Sequence, residues 1–465
     1  MIEKAKSAKR RSLQLHPTLI VLAMLLIAAG LTHLIPAGKF GRHDKQIVAG
    51  SYHAMPKVNG LAAVLSTSAP SETDSPARAA GVVAILKAIP AGMTLSSNLI
   101  FMVMFVGGTF GILRATGVID AGVDRLLQLT SGNVYLLGCG LLLILSCGST
   151  FLGFSSEYVA IIPVVLELAR RLGLPNIFAV AVVATADFIG YNASVTNPIA
   201  LGVAQPLAGV SVFSGLLPRL AIFLIMLALA LAYLAFFLRR LPKVAHIPAP
   251  MRLTLRQVCV LGTVVIGGAG LVAGTAIWSW HTPELASAFI GLGILLALAG
   301  GLSPTAAADA FLEGMKGMLL PTFLIGLAGG IGILLQSSQV LDSVVQGIAS
   351  LIAAHTPGLV AAGLMFAEMI FGILIPSISA KAAVSMPIMA PIAHLSGVSG
   401  QISVTALLLG SGVTNMITPT NPLLLAFLAA AKVDFIEWLR FIAPLFILCC
   451  GVGFAAVYLM ATLGA

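Results

Sequence analysis

Charged residues are scarce in this sequence of 465 residues. Asp, Glu, Lys and Arg together make up only 9%, whereas hydrophobic residues make up 59% and the mean hydropathy is +1.06. Soluble domains carry about 25% charged residues, so this chain could not cover a folded surface with charge. The scarcity argues against an ordinary soluble protein and predicts a chain that is embedded in a lipid bilayer.

Catalytic and metal-binding motifs are also lacking. The five cysteines lie in apolar runs without metal-ligand spacing to histidine, which is typical of small buried side chains. The sequence has no Walker motif, no GxSxG elbow and no HExxH motif. We therefore predict that the protein is not an enzyme and has no cofactor. The net charge is +9, and the basic residues responsible for it lie between apolar runs. Their position indicates membrane topology and not a nucleic-acid partner.

Long apolar runs take the place of charge. In a bilayer every backbone N–H and C=O needs an internal partner, so a spanning chain forms helices or a closed barrel. The run from Leu220 to Leu238 has the length of about 20 residues that a spanning helix needs, without the alternation of a barrel strand. We therefore predict an all-α polytopic membrane protein whose surroundings are a bacterial inner membrane.

The distribution of lysine and arginine predicts an orientation. If the N-terminus is cytoplasmic, most basic residues lie inside, and the short outside connections 209–217, 278–284 and 336–356 contain no Lys or Arg. This orientation requires 134–170 and 357–396 to be re-entrant hairpins. The predicted parts are a basic cytoplasmic tail (1–16), a first span and not a cleaved leader (17–35), an extracytoplasmic loop (36–92), a first repeat (93–238), a cytoplasmic linker (239–257), connecting spans (258–302) and a second repeat (303–465).

The two predicted repeats share a register. Glu157 corresponds to Lys381, and the segment 194–198 (SVTNP) corresponds to 418–422 (TPTNP), in each case at an offset of 224 residues. The number of crossings between them makes the second copy inverted. Inverted repeats with broken helices are typical of secondary transporters, whose substrate site lies at the repeat interface. The pattern thus predicts alternating access for a small organic acid or amino acid.

Polar residues interrupt an apolar helix once in each repeat. Pro198 and Pro422 lack an N–H and disfavour helix at the preceding residue, so each should begin a new half-helix behind an Asn N-cap. Free amides at that end suit an anion, and freed carbonyls suit Na⁺ or a protonated amine. The predicted substrate-binding residues here are Asn192, Ser194, Thr196 and Asn197 in the first break and Asn415, Thr418, Thr420 and Asn421 in the second.

The predicted hairpin tips carry hydroxyl and charged side chains. A charge inside a membrane costs about 2.5–3.5 kcal/mol, so Glu157 and Lys381 need a partner or a use. They could pair with each other, bind a zwitterionic substrate or couple to protons. Asp187 could bind a cation or be a buried, hydrogen-bonded carboxylate, and Glu368 is assigned a structural role. The predicted tip residues are Ser155, Ser156 and Glu157 and Ser377, Ser379 and Lys381; Asp187, Glu157 and Lys381 are the candidates for proton or cation coupling, Na⁺ included.

Several of these segments resemble a known family. GFSSE, TNPIALGVAQPLAGV, PSISAKAAVSMPIMAPIAHLSGVSGQ and SGVTNMITPTNPLLLAFLAAAKVDFIEWLRF are similar to the YfcC family of anaerobic C4-dicarboxylate carrier-like proteins in the ion transporter superfamily. The resemblance implies a homodimeric secondary carrier of elevator type. It also implies either C4-dicarboxylate transport or antiport of basic amino acids of the arginine/ornithine type.

The sequence departs from the pattern of that family at two positions. Ala380–Lys381 stands where a Gly-Gln-like pair is expected, and Tyr158 stands where a second acid is expected. The added positive charge favours an anionic or zwitterionic substrate and disfavours Na⁺ at the second tip. We favour a carrier of a C4-dicarboxylate-like substrate, by symport or antiport. An ion channel, and a membrane-bound enzyme or receptor, are the alternatives from other classes.

Overall fold

Helices dominate the computed structural model, which describes residues 17–43, 46–48, 50–119, 128, 130–240, 254–278, 280, 282–352, 355–375 and 377–463. In this part of the chain they are α1 Pro17–Leu34, α2 Leu61–Val64, α3 Val82–Leu95, α4 Ser97–Ala115, α5 Val134–Cys147, α6 Ile162–Arg171, α7 Ile177–Ala193, α8 Pro198–Leu207, α9 Leu216–Arg239, α10 Leu255–Trp278, α11 Thr282–Ala299, α12 Pro304–Gly317, α13 Leu319–Ser337, α14 Leu341–Ile352, α15 Pro357–Leu374, α16 Ile378–Leu395, α17 Gly400–Asn415, α18 Pro422–Ala431 and α19 Phe435–Leu463. A π turn (Gly148–Leu152) and a 3-10 turn (Ser156–Ala160) follow α5. The predicted cytoplasmic tail and most of the predicted linker lie outside the described residues.

Seven of the described helical segments are long and apolar enough to cross a membrane. They are α4, α5 with its π turn, α9, α11, α13, α15 and α19. Their lipid-compatible surfaces include large exposed side chains such as Leu224, Ile225 and Leu448. A chain that exposes such residues on several long helices is a multi-pass membrane protein.

Two kinked helices, one formed by α3 and α4 and the other by α12 and α13, pack against each other through glycines. α3 and α4 meet at Ser96, α12 and α13 meet at Met318, and α3 runs along α13 while α4 runs along α12. A Cβ on Gly92 would lie 2.3 Å from the carbonyl oxygen of Gly326, and one on Gly111 would lie 2.1 Å from that of Ala310. Small residues allow this backbone contact, which takes the place of hydrophobic burial in lipid.

The remaining helices fall into two sets with the same order of contacts. α7 packs on α5 and α9, and α17 packs on α15 and α19. Between the sets, α16 contacts α8, α6 contacts α18, and α7 crosses α17. Side chains also join the sets, because Gln205 Nε2 donates to Gln401 Oε1 at 3.1 Å and Ser214 Oγ donates to the same oxygen at 2.9 Å.

A small cap, residues 36–80, precedes these helices. Its strands are β1 Ala37–Lys39, β2 Arg42–His43, β3 Gln46–Ile47, β4 His53–Met55, β5 Lys57–Val58 and β6 Ala77–Arg78, and they pair as β1–β4 and β2–β3 (antiparallel) and β5–β6 (parallel). Phe40 N donates to Asp342 Oδ2 at 3.0 Å, and Gln339 Nε2 donates to the carbonyl oxygens of Ser71 and Asp74, both at 3.0 Å. The cap is therefore attached to the start of α14.

The predicted loop 36–92 is too long at its C-terminal end. Residues 82–95 form α3, whose Ala84 and Ala88 are buried against neighbouring helices. Lys87 and Pro90 concealed this helix in the sequence, since both interrupt an apolar run. The helix tolerates Pro90 because tertiary packing stabilises it, and Thr94 Oγ1 donates a hydrogen bond to the Pro90 carbonyl at 3.1 Å.

Candidate functional site

Both predicted helix breaks are present. α7 ends at Ala193, where Ser194 adopts a left-handed conformation with φ 41°, and α8 begins at Pro198. The Asn197 side-chain oxygen accepts from Ile199 N at 3.0 Å and Ala200 N at 3.2 Å. The prediction of an Asn N-cap in front of a proline is confirmed here, and the cap occupies the oxygen of Asn197.

The second break has the same construction. α17 ends at Asn415 and α18 begins at Pro422. The Asn421 side-chain oxygen accepts from Leu423 N at 3.0 Å, and Asn421 Nδ2 donates to the Asn415 carbonyl at 3.1 Å. Thr418 and Thr420 share a hydrogen bond of 2.8 Å within the break. Asn421 thus holds both ends of the break together.

The first break is hydrogen-bonded to tip 1, defined here as residues 148–160. Thr196 N donates to the Thr150 carbonyl at 3.1 Å, and Thr196 Oγ1 donates to the Phe151 carbonyl at 3.0 Å. Gly153 has φ 78° and lies against Asn197, where a Cβ would come 2.6 Å from Asn197 Oδ1. Only glycine fits there, because the position combines a left-handed backbone with a close contact.

The second break is bonded in the same way to tip 2, defined here as residues 373–375 and 377–381. Thr420 Oγ1 donates to the Ile373 carbonyl at 2.9 Å. Thr414 Oγ1, one turn before the break, reaches the Met369 carbonyl at 3.2 Å. Ser377 caps α16 by accepting from Ala380 N at 3.4 Å. In both sets of helices, then, a threonine of the break holds a carbonyl of the adjacent tip.

The two breaks lie close together where α7 crosses α17. A Cβ on Gly412 would lie 1.7 Å from Asn192 Oδ1 and 2.9 Å from Asn192 Cα, so the two half-helices touch just before they end. The side-chain oxygens of Asn192 and Asn415 are both buried and accept no hydrogen bond within the described residues. Two unpartnered acceptors at one crossing offer binding positions for a ligand.

Two acids meet at tip 1. Ser155 Oγ donates to Asp187 Oδ1 at 2.6 Å, while Ser155 N donates to Glu157 Oε2 at 3.0 Å. Ser149 Oγ lies 3.3 Å from Asp187 Oδ1 and 3.0 Å from the Asp187 carbonyl oxygen. The structure thus brings the predicted residues Ser155, Glu157 and Asp187 together. It adds Ser149, a polar residue in an apolar run that was not predicted from the sequence. Ser156 begins the 3-10 turn beside them.

The charged neighbour of Lys381 differs from one that the sequence suggested. Lys381 is buried, and its electrostatic partner among the described residues is Glu368 of α15, not Glu157. Its Nζ donates to Ser411 Oγ of α17 at 2.9 Å. Pairing of Glu157 with Lys381, one of the three alternatives that the sequence left open, is not found in the structure, because Lys381 turns toward α15 and α17 within its own set of helices. Ser379 lies nearby in the first turn of α16.

Arg219 and Trp438 were missed by the sequence analysis. Arg219 in the first turn of α9 is fully buried, and its Nη2 donates to the Val195 carbonyl of the first break at 3.2 Å. Trp438 Nε1 in α19 donates to the Met416 carbonyl beside the second break at 2.9 Å. A lone arginine near the end of an apolar run was the available signal for Arg219. Both side chains hold carbonyls that the breaks leave free.

These features define a multi-pass helical membrane protein with a polar, buried site at two interrupted helices. A family model described as "DcuC: C4-dicarboxylate anaerobic carrier" matches residues 16–462. The chain belongs to this family of carriers, which makes it a member of a transporter family. A small-molecule substrate and a membrane setting follow from that membership, and the resemblance seen in the sequence is confirmed.

Individual relatives agree with this assignment. The chain is 30% identical over 370 residues to YfcC of Escherichia coli (strain K12), and the match covers 74% of this chain and 73% of YfcC. The name of that protein describes it provisionally as a basic amino acid antiporter. An uncharacterised protein of Haemophilus influenzae is 23% identical over 472 residues and 92% of each chain.

Two solved transporters are similar over nearly the whole chain. The YdaH transporter of Alcanivorax borkumensis has 16% identity and a TM-score of 0.47, with 97% of this chain and 99% of that chain covered. MtrF of Neisseria gonorrhoeae, described within a class of antimetabolite efflux pumps, has 18% identity and a TM-score of 0.42, with 96% and 95% covered.

Proposed function

We propose that this protein is a secondary active transporter that moves a small carboxylate-bearing anion, of the C4-dicarboxylate type, across a bacterial inner membrane by alternating access. The main support is that two helix breaks meet at one crossing, each tied to its own tip by a threonine-to-carbonyl hydrogen bond. Interrupted backbone inside a membrane is tolerated where it is buried in protein or lines a water-filled cavity. A pair of such breaks at one place is suited to enclosing a ligand.

The proposed substrate site combines acceptors, helix N-termini and positive charge. The N-termini of α8 and α18 face the breaks, and Lys381 and Arg219 place two buried cations beside them. Positive helix ends and cationic side chains favour an anion. The substrate-binding residues proposed are Ser155, Ser156, Glu157, Asn192, Ser194, Thr196, Asn197, Ser377, Ser379, Lys381, Asn415, Thr418, Thr420 and Asn421.

We further propose that the two sets of helices are inverted repeats that work in an elevator-type homodimer, with the N-terminus in the cytoplasm. Thr196 and Thr420 are 224 residues apart, the offset seen in the sequence, and their acceptors Phe151 and Ile373 are 222 apart. Equivalent hydrogen bonds at nearly one offset support a repeat. In inverted-repeat transporters the site lies between the repeats, which fits the crossing of α7 and α17.

At tip 1, Asp187 and Glu157 are the proposed groups for a coupling cation, Na⁺ or H⁺. Ser155 holds one carboxylate with its hydroxyl and the other with its amide. Such a pair of acids would also suit the cationic side chain of a basic amino acid. This observation, together with the name of the E. coli relative, favours antiport of basic amino acids as the second candidate function.

Counterflow in proteoliposomes tests these proposals. Liposomes loaded with unlabelled succinate should accumulate labelled external succinate transiently above equilibrium, which a channel cannot do. Loading with arginine and adding labelled arginine tests the second candidate in the same preparation. Overshoot with arginine alone would replace the first candidate by the second, and the lack of overshoot with either solute would contradict the carrier proposal for both substrate classes.

Two substitutions connect counterflow to the site. Asn192→Ala and Asn415→Ala remove the unpartnered oxygens at the crossing and should each raise the KM for the transported solute. Asn98→Ala on the exposed side of α4 is the matched control and should leave the KM unchanged. Unchanged KM in both site variants would show that substrate binds elsewhere.

A further inference from the structure

Glu368 presents a problem that the proposed substrate site does not explain. Its side chain on α15 is 1% exposed, and neither carboxylate oxygen has a hydrogen-bond partner among the described residues. Ser385 Oγ on α16 is the polar group that faces this carboxylate, but its geometry is too poor for a normal hydrogen bond. A buried carboxylate with so little hydrogen bonding is costly as an anion, and it needs either a counter-charge or a proton.

Lys381 supplies the counter-charge but is held elsewhere. The two residues interact electrostatically across the interface of α15 and α16, yet the hydrogen bond of Lys381 Nζ goes to Ser411 on α17. Lys381 also stands at the fourth residue after the N-cap of α16, near the positive end of that helix, where a cation does not favour helix stability. This position does not stabilise the helix, but it suits the interaction of the ammonium group with a ligand or a charged partner.

The Lys381 ammonium group packs against α15 close to Glu368. A Cβ on Gly372, one turn after Glu368, would lie 3.3 Å from Lys381 Nζ, so the absence of a side chain there lets the ammonium group lie against the backbone of α15. Ser411 lies four residues before the end of α17, and the second break begins just beyond it. The same ammonium group thus lies between the carboxylate of Glu368 and the proposed binding position for substrate.

No other charged group in the described chain acts on this pair. Glu368 and Lys381 are each the other's only charged neighbour. α17 faces them with Gly410, Ser411 and Thr414, which do not titrate, and α8 and α13 contain no charged residue. α19 meets α15 through Gly453 near Met365 and Tyr458 near Gly358, and Asp342 of α14 accepts a hydrogen bond from the cap at Phe40 N.

We propose that Glu368 carries a coupling proton and that Lys381 controls when it does so, which rests on the proposed carrier function. In the empty site the Lys381 ammonium balances the Glu368 carboxylate. When a substrate carboxylate binds at the second break, the ammonium moves to it, and Glu368 takes a proton from water on the open side. When the substrate leaves on the other side, Lys381 returns and Glu368 releases its proton there. One proton therefore travels with each substrate molecule, without Na⁺ at this tip.

The local charge stays balanced throughout this exchange. The empty site holds one carboxylate and one ammonium, and the loaded site holds one substrate carboxylate, one ammonium and a neutral carboxylic acid. The local net charge is zero in both cases for the carboxylate that Lys381 binds. No other bond is formed or broken, and each proton enters and leaves through Glu368.

Proton movement in wild-type proteoliposomes is the first test. External succinate is added in Na⁺-free buffer, with a pH-sensitive dye inside and labelled succinate counted in parallel. We expect the interior to acidify as succinate enters, at a ratio near one proton per succinate. Entry of succinate without acidification would overturn the proton proposal while leaving the carrier intact. No entry of succinate would instead count against the carrier with this probe, and the inference would fall with it.

Glu368→Gln is the second test, because glutamine resembles the protonated acid. We expect this variant to keep succinate counterflow and to lose accumulation driven by a pH gradient, down to the level of empty liposomes. Glu313→Gln, an exposed acid of α12 that pairs with Lys316 at 2.9 Å, is the control and should retain both activities. Gradient-driven accumulation by Glu368→Gln at the wild-type level would contradict the proposal. If this variant does not fold, acidification is measured instead in the double variant Glu157→Gln, Asp187→Asn, which lacks the acids of tip 1. Succinate entry with acidification would then support Glu368, and succinate entry without it would contradict the proposal.

Discussion

The two halves of the site share a backbone design but differ in charge. Each break has an Asn N-cap before a proline and a threonine bonded to a carbonyl of its tip. The first tip collects two acids around Ser155, whereas the second holds a lysine opposite a single glutamate. The carbonyls freed by the breaks are held by a cation in the first half, Arg219, and by a neutral indole in the second, Trp438.

The residues that shape the backbone of the site are therefore different from the charged residues that determine which ions it binds. Proline, asparagine and threonine act on the backbone next to them, so both halves adopt one geometry. The charged side chains are added to that geometry from other helices and can differ without altering it. Ion coupling can accordingly differ between the halves while the substrate meets two similar breaks.

The largest effect is expected from removing the cation of the second half. Lys381→Met leaves Glu368 buried without a counter-charge, and breaking such a pair typically costs about 3–5 kcal/mol of unfolding free energy. The double variant Lys381→Met, Glu368→Gln should recover most of that loss. Thermal unfolding in detergent measures both, and Lys316→Met, which breaks a fully exposed pair, should leave the melting temperature unchanged. If Lys381→Met melts at the wild-type temperature, the predicted loss is wrong, and Glu368 then becomes neutral at no cost once its counter-charge is gone.

A smaller effect, equal in the two halves, is expected from two glycines. A Cβ on Gly190 would lie 2.4 Å from the Ser146 carbonyl, and one on Gly410 would lie 2.5 Å from the Met365 carbonyl. Since backbone must move in both cases, Gly190→Ala and Gly410→Ala should each cost about 1–3 kcal/mol. Gly202→Ala, with nothing within 4 Å of its Cβ, should not lower the melting temperature. Unequal losses would mean that the halves pack differently.

The threonine hydrogen bonds should contribute less. Thr196→Val and Thr420→Val each remove one bond between a break and its tip, which corresponds to about 0.5–1.5 kcal/mol. Thr420→Val also removes the bond to Thr418, so its loss should be the larger of the two. Thr462→Val, whose hydroxyl bonds within the last turn of α19 at 3.0 Å, controls for the loss of a hydroxyl. The melting temperatures of the three variants can be compared directly. A loss in only one break would contradict the equivalence of the two tips.

The smallest effect is expected in the cap. Burial lowers the pKa of Lys57 to about 8, and its Nζ donates to the Ile35 carbonyl at 2.5 Å. Between pH 8 and about 10.4 the unfolded chain keeps a proton on Lys57 that the folded protein has lost, so this residue makes the protein more stable as pH rises. The difference in melting temperature between wild type and Lys57→Met should shift in favour of the wild type across that range. Lys39→Met controls for truncating a lysine of the cap.

Local features were predictable from the sequence, and long-range partners were not. Pro198 and Pro422 fix the breaks because they change the backbone at their own positions, whatever surrounds them. Lys381 reaches α17 and α15, and nothing in a one-dimensional pattern distinguishes Glu368 from Glu157 as its partner. Arg219 was overlooked for a similar reason, because a single arginine near a span end is also what membrane topology produces.

The kinked helices have a consequence for how the chain is assembled. Gly92 and Gly111 belong to the N-terminal half, but the backbone they touch, at Gly326 and Ala310, belongs to the C-terminal half. Neither half can complete this contact within itself. Two polypeptides divided inside 241–253 should therefore rescue each other when produced together, while either fragment alone would expose an unfilled helix surface to lipid and to quality-control proteases.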